Sequence, residues 1–249
     1  MLSSVGWAAL GVGFIFLMTS LGAASVLFCR EDALPKSQTG MMGFAGGVMT
    51  AASVWSMLLP AIEQTRAAGV LPCWIPAAAG TAAGAAFLCA LDALILRLRR
   101  GGSAEKSSML MTAITLHNIP EGMAVGLAFA LSGGSDGLTA AAALALGIGV
   151  QNVPEGAAVS LPLRRMGMSR GRAFSMGVLS GAVEPLFGML AVMAVSGISR
   201  IMPWLLGFSA GAMLYVVVCE LIPAADDRRG LFWYVAGFLL MMILDVALG

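Results

Sequence analysis

The chain has 249 residues, of which 59% are hydrophobic and 11% charged, and its formal net charge is +1. So apolar a composition excludes an ordinary soluble domain, and so small a charge excludes a basic surface that holds nucleic acid. The four cysteines, Cys29, Cys73, Cys89 and Cys219, form no CxxC pair, which excludes a disulfide framework and a zinc ribbon.

Crossing a bilayer takes about 20 apolar residues in a row. Runs of that kind fill eight stretches, spans 1 to 8, at roughly 4–29, 40–62, 72–96, 108–131, 138–163, 172–195, 201–223 and 231–248. The connections are short, so residues 1–249 read as one all-α, polytopic transmembrane domain. Span 1 has no basic segment ahead of it and reads as a retained span, not a cleaved leader. All of the 14 Lys and Arg residues except Arg66 and Arg200 fall in loops 1–2, 3–4, 5–6 and 7–8. The positive-inside rule turns those loops to the cytoplasm and leaves both termini outside a plasma (inner) membrane.

Span 1 carries no ionisable residue before Arg30 and reads as packing or a moving wall. In span 2, Gly43, Phe44, Gly47 and Met49 recur in span 7 as Gly207, Phe208, Gly211 and Met213. Spans 2 and 7 are separated by an odd number of crossings, so they run in opposite directions. This is the pattern of an inverted repeat, 3+2+3, with spans 4 and 5 between the repeats, as secondary transporters have. The pairs Gly43/Gly47, Gly80/Gly84, Gly122/Gly126, Gly177/Gly181 and Gly207/Gly211 are expected to let helices approach closely. Asp92 ends span 3 and Asp245 ends span 8; they are either symmetry-related gate residues or ordinary interfacial carboxylates.

Span 4 contains His117-Asn118-Ile119-Pro120-Glu121-Gly122, and span 5 repeats it as Gln151-Asn152-Val153-Pro154-Glu155-Gly156. Polar residues at membrane depth are costly and usually face a functional cavity. On a helix, positions i and i+4 share a face, so His117 points with Glu121 and Gln151 with Glu155. Asn118 and Asn152, three residues before the same glutamates, lie slightly around the helix. Each glutamate can therefore serve two neighbouring positions. Pro120 and Pro154 remove backbone hydrogen bonds to Leu116 and Val150, and kinks are expected there. Span 6 adds Glu184-Pro185, which frees the Gly181 carbonyl.

Carboxylates, an imidazole and amides without a thiolate suit a borderline divalent ion, Zn²⁺ first, with Fe²⁺, Mn²⁺ or Cd²⁺ as alternatives. A loosely closed site of this kind fits an ion that has to leave again. Asn118 and Asn152 serve equally well as hydrogen-bonding glue between helices.

The strings HNIPEG and QNVPEG with Glu184-Pro185 resemble the signature of the ZIP family of metal transporters, and QNVPEGAAVSLPLRRMG followed by SGAVEP is similar to its GufA-like branch. The resemblance covers all eight spans. It implies one metal position from His117, Glu121, Gln151 and Glu155, and a second from Asn118, Asn152 and Glu184 with the two shared glutamates. It also implies that Met49 approaches the ion from a facing helix. Glu63, at the inner end of span 2, and Cys219-Glu220 in span 7 match positions of an exit-side acceptor. Spans 1, 4, 5 and 6 would carry the ion against a scaffold of spans 2, 3, 7 and 8, with a homodimer formed through the scaffold.

The expectation is an importer of divalent metal in the lipid bilayer, with no organic cofactor and no enzymatic activity. It would run down a gradient or couple to another ion, since no nucleotide-binding motif is present. An intramembrane metallohydrolase and a structural membrane protein are the rival classes; the first lacks a second histidine, and metal flux into proteoliposomes separates all three.

Overall fold

The computed structural model describes residues 3–28, 34–98, 104–132 and 134–248, and among them it contains helices and no strand. Arg30, Arg99, Arg100 and Cys29 lie outside the described residues. Seven helical runs are long and apolar enough to cross a membrane: Ser4–Phe28, Thr39–Ala68, Trp74–Leu94, Gly134–Arg165, Arg170–Met193, Arg200–Ala224 and Arg228–Ala247. The remaining run, Ala104–Ala130, has 27 residues. At 1.5 Å per residue it is about 40 Å long, more than the ~30 Å hydrocarbon core. These eight runs are the eight expected spans.

Among the closely packed helix pairs are spans 1 with 5, 4 with 6, 2 with 8 and 3 with 7. Glycine decides each of them. A Cβ on Gly22 would run into the Val153 carbonyl and one on Gly156 into that of Thr19, so spans 1 and 5 touch backbone to backbone. Gly122 and Gly126 meet the backbone of Glu184 and Gly188 in the same way, Gly43 and Gly47 that of Gly230 and Tyr234, and Gly80 and Gly84 that of Trp204 and Phe208. Gly177 and Gly181 face Ala23 and Thr19 of span 1. The small-residue pairs are thus packing devices, as expected. Hydrocarbon offers no hydrophobic drive between helices, and close backbone approach supplies dispersion contact instead.

Three spans are interrupted. Span 2 widens into a π-helix over Ser53–Leu58, where the Leu59 N–H bonds the Val54 carbonyl, and span 7 does so over Val217–Leu221, where Ile222 bonds Val217. Each segment runs up to a Leu59-Pro60 or Ile222-Pro223 step, so each adjoins a proline that lacks a donor. Span 6 divides into Arg170–Gly181 and Val183–Met193, just ahead of Glu184-Pro185. By contrast, the helices of spans 4 and 5 continue through Pro120 and Pro154.

Gly47→Val should lower the melting temperature of the purified protein by several degrees. Overpacking a tight contact costs ~1–3 kcal/mol, and each kcal/mol is about 2–4 °C at this chain size. Gly13, with nothing within 4 Å of an added Cβ, is the control, and Gly13→Ala should leave the midpoint unchanged or raise it. Equal midpoints for wild type and Gly47→Val would remove the close contact between spans 2 and 8.

Candidate functional site

The two repeated motifs and the break in span 6 meet in one buried cluster. Asn118, Glu121, Gln151, Asn152, Glu155 and Glu184 all have 0% exposure. Two glycines one residue past the glutamates bring this about: Gly122 sets span 4 against the Glu184 backbone, and Gly156 sets span 5 against Thr19. The site is placed by backbone contact before any side chain takes part.

The amide nitrogens bind protein and leave the amide oxygens over. Gln151 Nε2 donates to Glu121 Oε1 at 2.5 Å. Asn118 Nδ2 donates to the Ser180 carbonyl at 3.3 Å and to Glu184 Oε1 at 3.2 Å. Asn152 Nδ2 reaches the Ile15 carbonyl at 3.4 Å. Thr19 Oγ1 donates to Glu184 Oε1 at 2.7 Å. Among the described residues, Asn118 Oδ1, Gln151 Oε1, Asn152 Oδ1 and Glu184 Oε2 are buried without a hydrogen-bond donor. A buried oxygen acceptor left so costs on the order of 1–3 kcal/mol. Four such atoms in one cluster suit a cation.

Glu184 sharpens this reading. Its described hydrogen-bond partners, Thr19, Asn118 and Asn152, are neutral, and Glu155 lies close enough to repel it. A carboxylate buried among such neighbours needs a positive partner, either a proton or a metal ion. Among the described residues no three His, Cys, Asp or Glu side chains form a closed metal cage. His117 lies on the helix of span 4, but its side chain falls outside the described residues.

Met49 is fully buried in the apolar core, to which all eight spans contribute. The exit-side group does not assemble. Glu63 is exposed and adjoins Gln64 and Ala67, which line a cavity of about 470 Å³ with Leu131 and Met202. Cys219 is exposed and lies beside Tyr215, whose hydroxyl donates to Asp92 Oδ2 at 3.2 Å; Glu220 is half-buried. Spans 2 and 7 are antiparallel, so Glu63 and Cys219-Glu220 sit at opposite ends of the bundle.

That cavity lies between spans 2, 4, 5 and 7, and Ala124 on its wall is one turn from Glu121. It also reaches Ser56, whose hydroxyl donates to Asp245 Oδ1 at 2.8 Å. Thr19, Ser56 and Tyr215 were absent from the residues singled out by sequence. Lone hydroxyls in apolar helices give no periodic or spacing signal, and a serine or threonine bonds its own i−4 carbonyl as readily as a distant group.

The family model described as ZIP Zinc transporter matches residues 97–245. The chain is 34% identical to zinc transporter ZIP11 of Homo sapiens, over 99% of this chain and 98% of the relative. It is 38% identical to zinc transporter GufA of Myxococcus xanthus, over 93% and 94% respectively. It is also 38% identical to zinc transporter ZIPB of Bordetella bronchiseptica, over 98% and 82%.

Gly122→Ala tests the backbone placement of the cluster without touching a candidate ligand. An added Cβ meets the Glu184 backbone, so span 6 has to move away and take Glu184 with it. Binding of Zn²⁺ to the purified protein should weaken about tenfold, the size of effect an overpacking cost of ~1–3 kcal/mol implies. Unchanged binding would show that Glu184 is not held in place by span 4.

Proposed function

The chain belongs to the ZIP zinc transporter family, and we propose that it imports Zn²⁺ into the cytoplasm through a two-ion site at mid-membrane built by spans 4, 5 and 6. The observation that carries this is the cluster of buried amide and carboxylate oxygens without donors, Asn118 Oδ1, Gln151 Oε1, Asn152 Oδ1 and Glu184 Oε2. Such a set suits a divalent ion of borderline hardness, with Fe²⁺, Mn²⁺ or Cd²⁺ as alternatives. ZIP members are transporters, which sets the hydrolase reading aside.

In this reading His117, Glu121, Gln151 and Glu155 hold the first ion, with Met49 approaching from span 2. Asn118, Asn152 and Glu184 hold the second together with the shared glutamates. Ions enter from the cavity between spans 2, 4, 5 and 7, which opens at the outer end in the orientation set by the basic loops. Cys219 and Glu220 then remain as exit-side candidates at the inner end, and Glu63 moves to the entry side.

The inverted 3+2+3 repeat is supported by packing. Exchanging spans 1, 2 and 3 with 6, 7 and 8, and 4 with 5, turns the pair 1·5 into 6·4 and 2·8 into 7·3. All four are among the closely packed pairs. The π segments fall in the exchanged spans 2 and 7. Asp92 of span 3 bonds Tyr215 of span 7, and Asp245 of span 8 bonds Ser56 of span 2. We take residues 1–249 as a single transport domain in an inner membrane, both termini outside, forming a homodimer through the scaffold.

Glu121→Ala and Glu155→Ala should each abolish Zn²⁺ uptake into proteoliposomes while the protein still reaches the membrane, since both ion positions share these carboxylates. Uptake at the wild-type rate in either variant would overturn the site.

Orientation has its own test, in a background without native cysteines. A cysteine at Ser103 should be shielded from an impermeant thiol reagent in intact cells, and one at Ser135 should react. The opposite labelling would reverse the direction of import read from the basic loops.

A further inference from the structure

Span 1 contributes no candidate ligand, yet it touches the cluster at two points one turn apart. Thr19 is fully buried. Its hydroxyl lies 2.7 Å from Glu184 Oε1 and 3.2 Å from the Ile15 carbonyl. A hydroxyl has one hydrogen to donate, and the shorter contact to a carboxylate is the stronger one. The Ile15 carbonyl stands 3.4 Å from Asn152 Nδ2. One turn of span 1 thus fixes Glu184 through a side chain and Asn152 through the backbone.

The consequence lies on the other atom of each group. Glu184 Oε1 accepts from both Thr19 and Asn118, and Oε2 stays buried without a donor. Asn152 has its nitrogen shared between the Ile15 carbonyl and the Glu184 carboxylate, and its Oδ1 left over. The surrounding helices make room for this arrangement. A Cβ on Gly181 would come within 2.8 Å of Thr19 Cγ2, and Gly156 packs on the Thr19 carbonyl. Span 1 is therefore held at this height from two sides.

We propose that Thr19 is a positioning residue for the second ion: its hydroxyl occupies Glu184 Oε1, turns Oε2 toward the ion, and so sets the affinity of that position alone. The proposal rests on the two-ion reading given above. The first position uses none of the groups that span 1 holds, so it should not respond.

Equilibrium Zn²⁺ binding to the purified full chain tests this, with wild type, Thr19→Val, Thr19→Ser and Glu184→Gln side by side. Wild type should bind two ions, and Glu184→Gln should lose the weaker step, which identifies it. Thr19→Val, nearly the same shape without the hydroxyl, should weaken that step by about tenfold or more, as loss of a hydrogen bond to a charged group implies. The tighter step should stay within about twofold, and Thr19→Ser should restore the weaker one. Thr19→Ala takes the place of Thr19→Val if the latter is not recovered as folded protein. Wild-type affinities in the variant lacking the hydroxyl, with Glu184→Gln still losing its step, would overturn the positioning role and leave the two-ion reading standing. Failure of Thr19→Ser to restore binding would also overturn it, since the effect would then belong to the methyl group. A wild type that binds one ion, or a Glu184→Gln protein that keeps both steps, would overturn the two-ion reading itself.

Discussion

A buried carboxylate that has to be matched by a proton or a cation is the constraint on which this bundle depends. Glu121, Glu155 and Glu184 are all withdrawn from solvent, in a medium where an isolated charge costs several kcal/mol even after relaxation. The surrounding residues moderate that cost without cancelling it. Thr19, Asn118 and Gln151 each give a carboxylate oxygen a neutral donor. A lysine or arginine in the same place would settle the charge for good and shut out an ion. Neutral donors orient the carboxylates and leave charge for a cation to meet.

The amide side chains do a related job. Asn118, Gln151 and Asn152 each spend the nitrogen on protein and retain the oxygen. Glue between helices and metal ligation stood as alternatives for the two asparagines, and the geometry leaves room for both, because the amide nitrogen bonds a neighbouring helix and the oxygen is left over. An aspartate could not do both, having no donor. On the proposed reading, the exchange of charge for a donor would make the second ion position weaker and its ligands better held.

What was legible in the sequence follows from what leaves a pattern. The spans were readable because hydrocarbon demands long apolar runs, and the cluster because HNIPEG, QNVPEG and Glu184-Pro185 put costly residues in the middle of them. The glycine pairs were readable as packing because small residues at four-residue spacing fall on one face. Thr19 was not readable: a threonine in an apolar helix looks like any other until span 6 is seen against it. Nor were the π segments, since Leu59-Pro60 and Ile222-Pro223 are equally compatible with a simple kink. The grouping of Glu63 with Cys219-Glu220 failed for a different reason: it came by resemblance, and spans 2 and 7 run in opposite directions and carry the two to opposite ends of the bundle.

The same packing separates what is rigid from what can slide. Among the described glycines, every close backbone approach joins spans 1, 4, 5 and 6 to each other, or spans 2, 3, 7 and 8 to each other. Across the two groups, Gly147 reaches only the Asp245 and Met241 side chains, at 3.5 and 3.9 Å, which is ordinary contact. Interlocked backbones resist shear, whereas side chains packed on side chains allow the small sliding motions of helical bundles. On the proposed reading, the ligands from spans 4, 5 and 6 and the strap from span 1 belong to one rigid group and would move with their ion. Met49 alone among the proposed ligands sits on the other group. A thioether is a weak, adaptable donor, and an interaction that has to break whenever the groups shift is best made by a ligand of that kind.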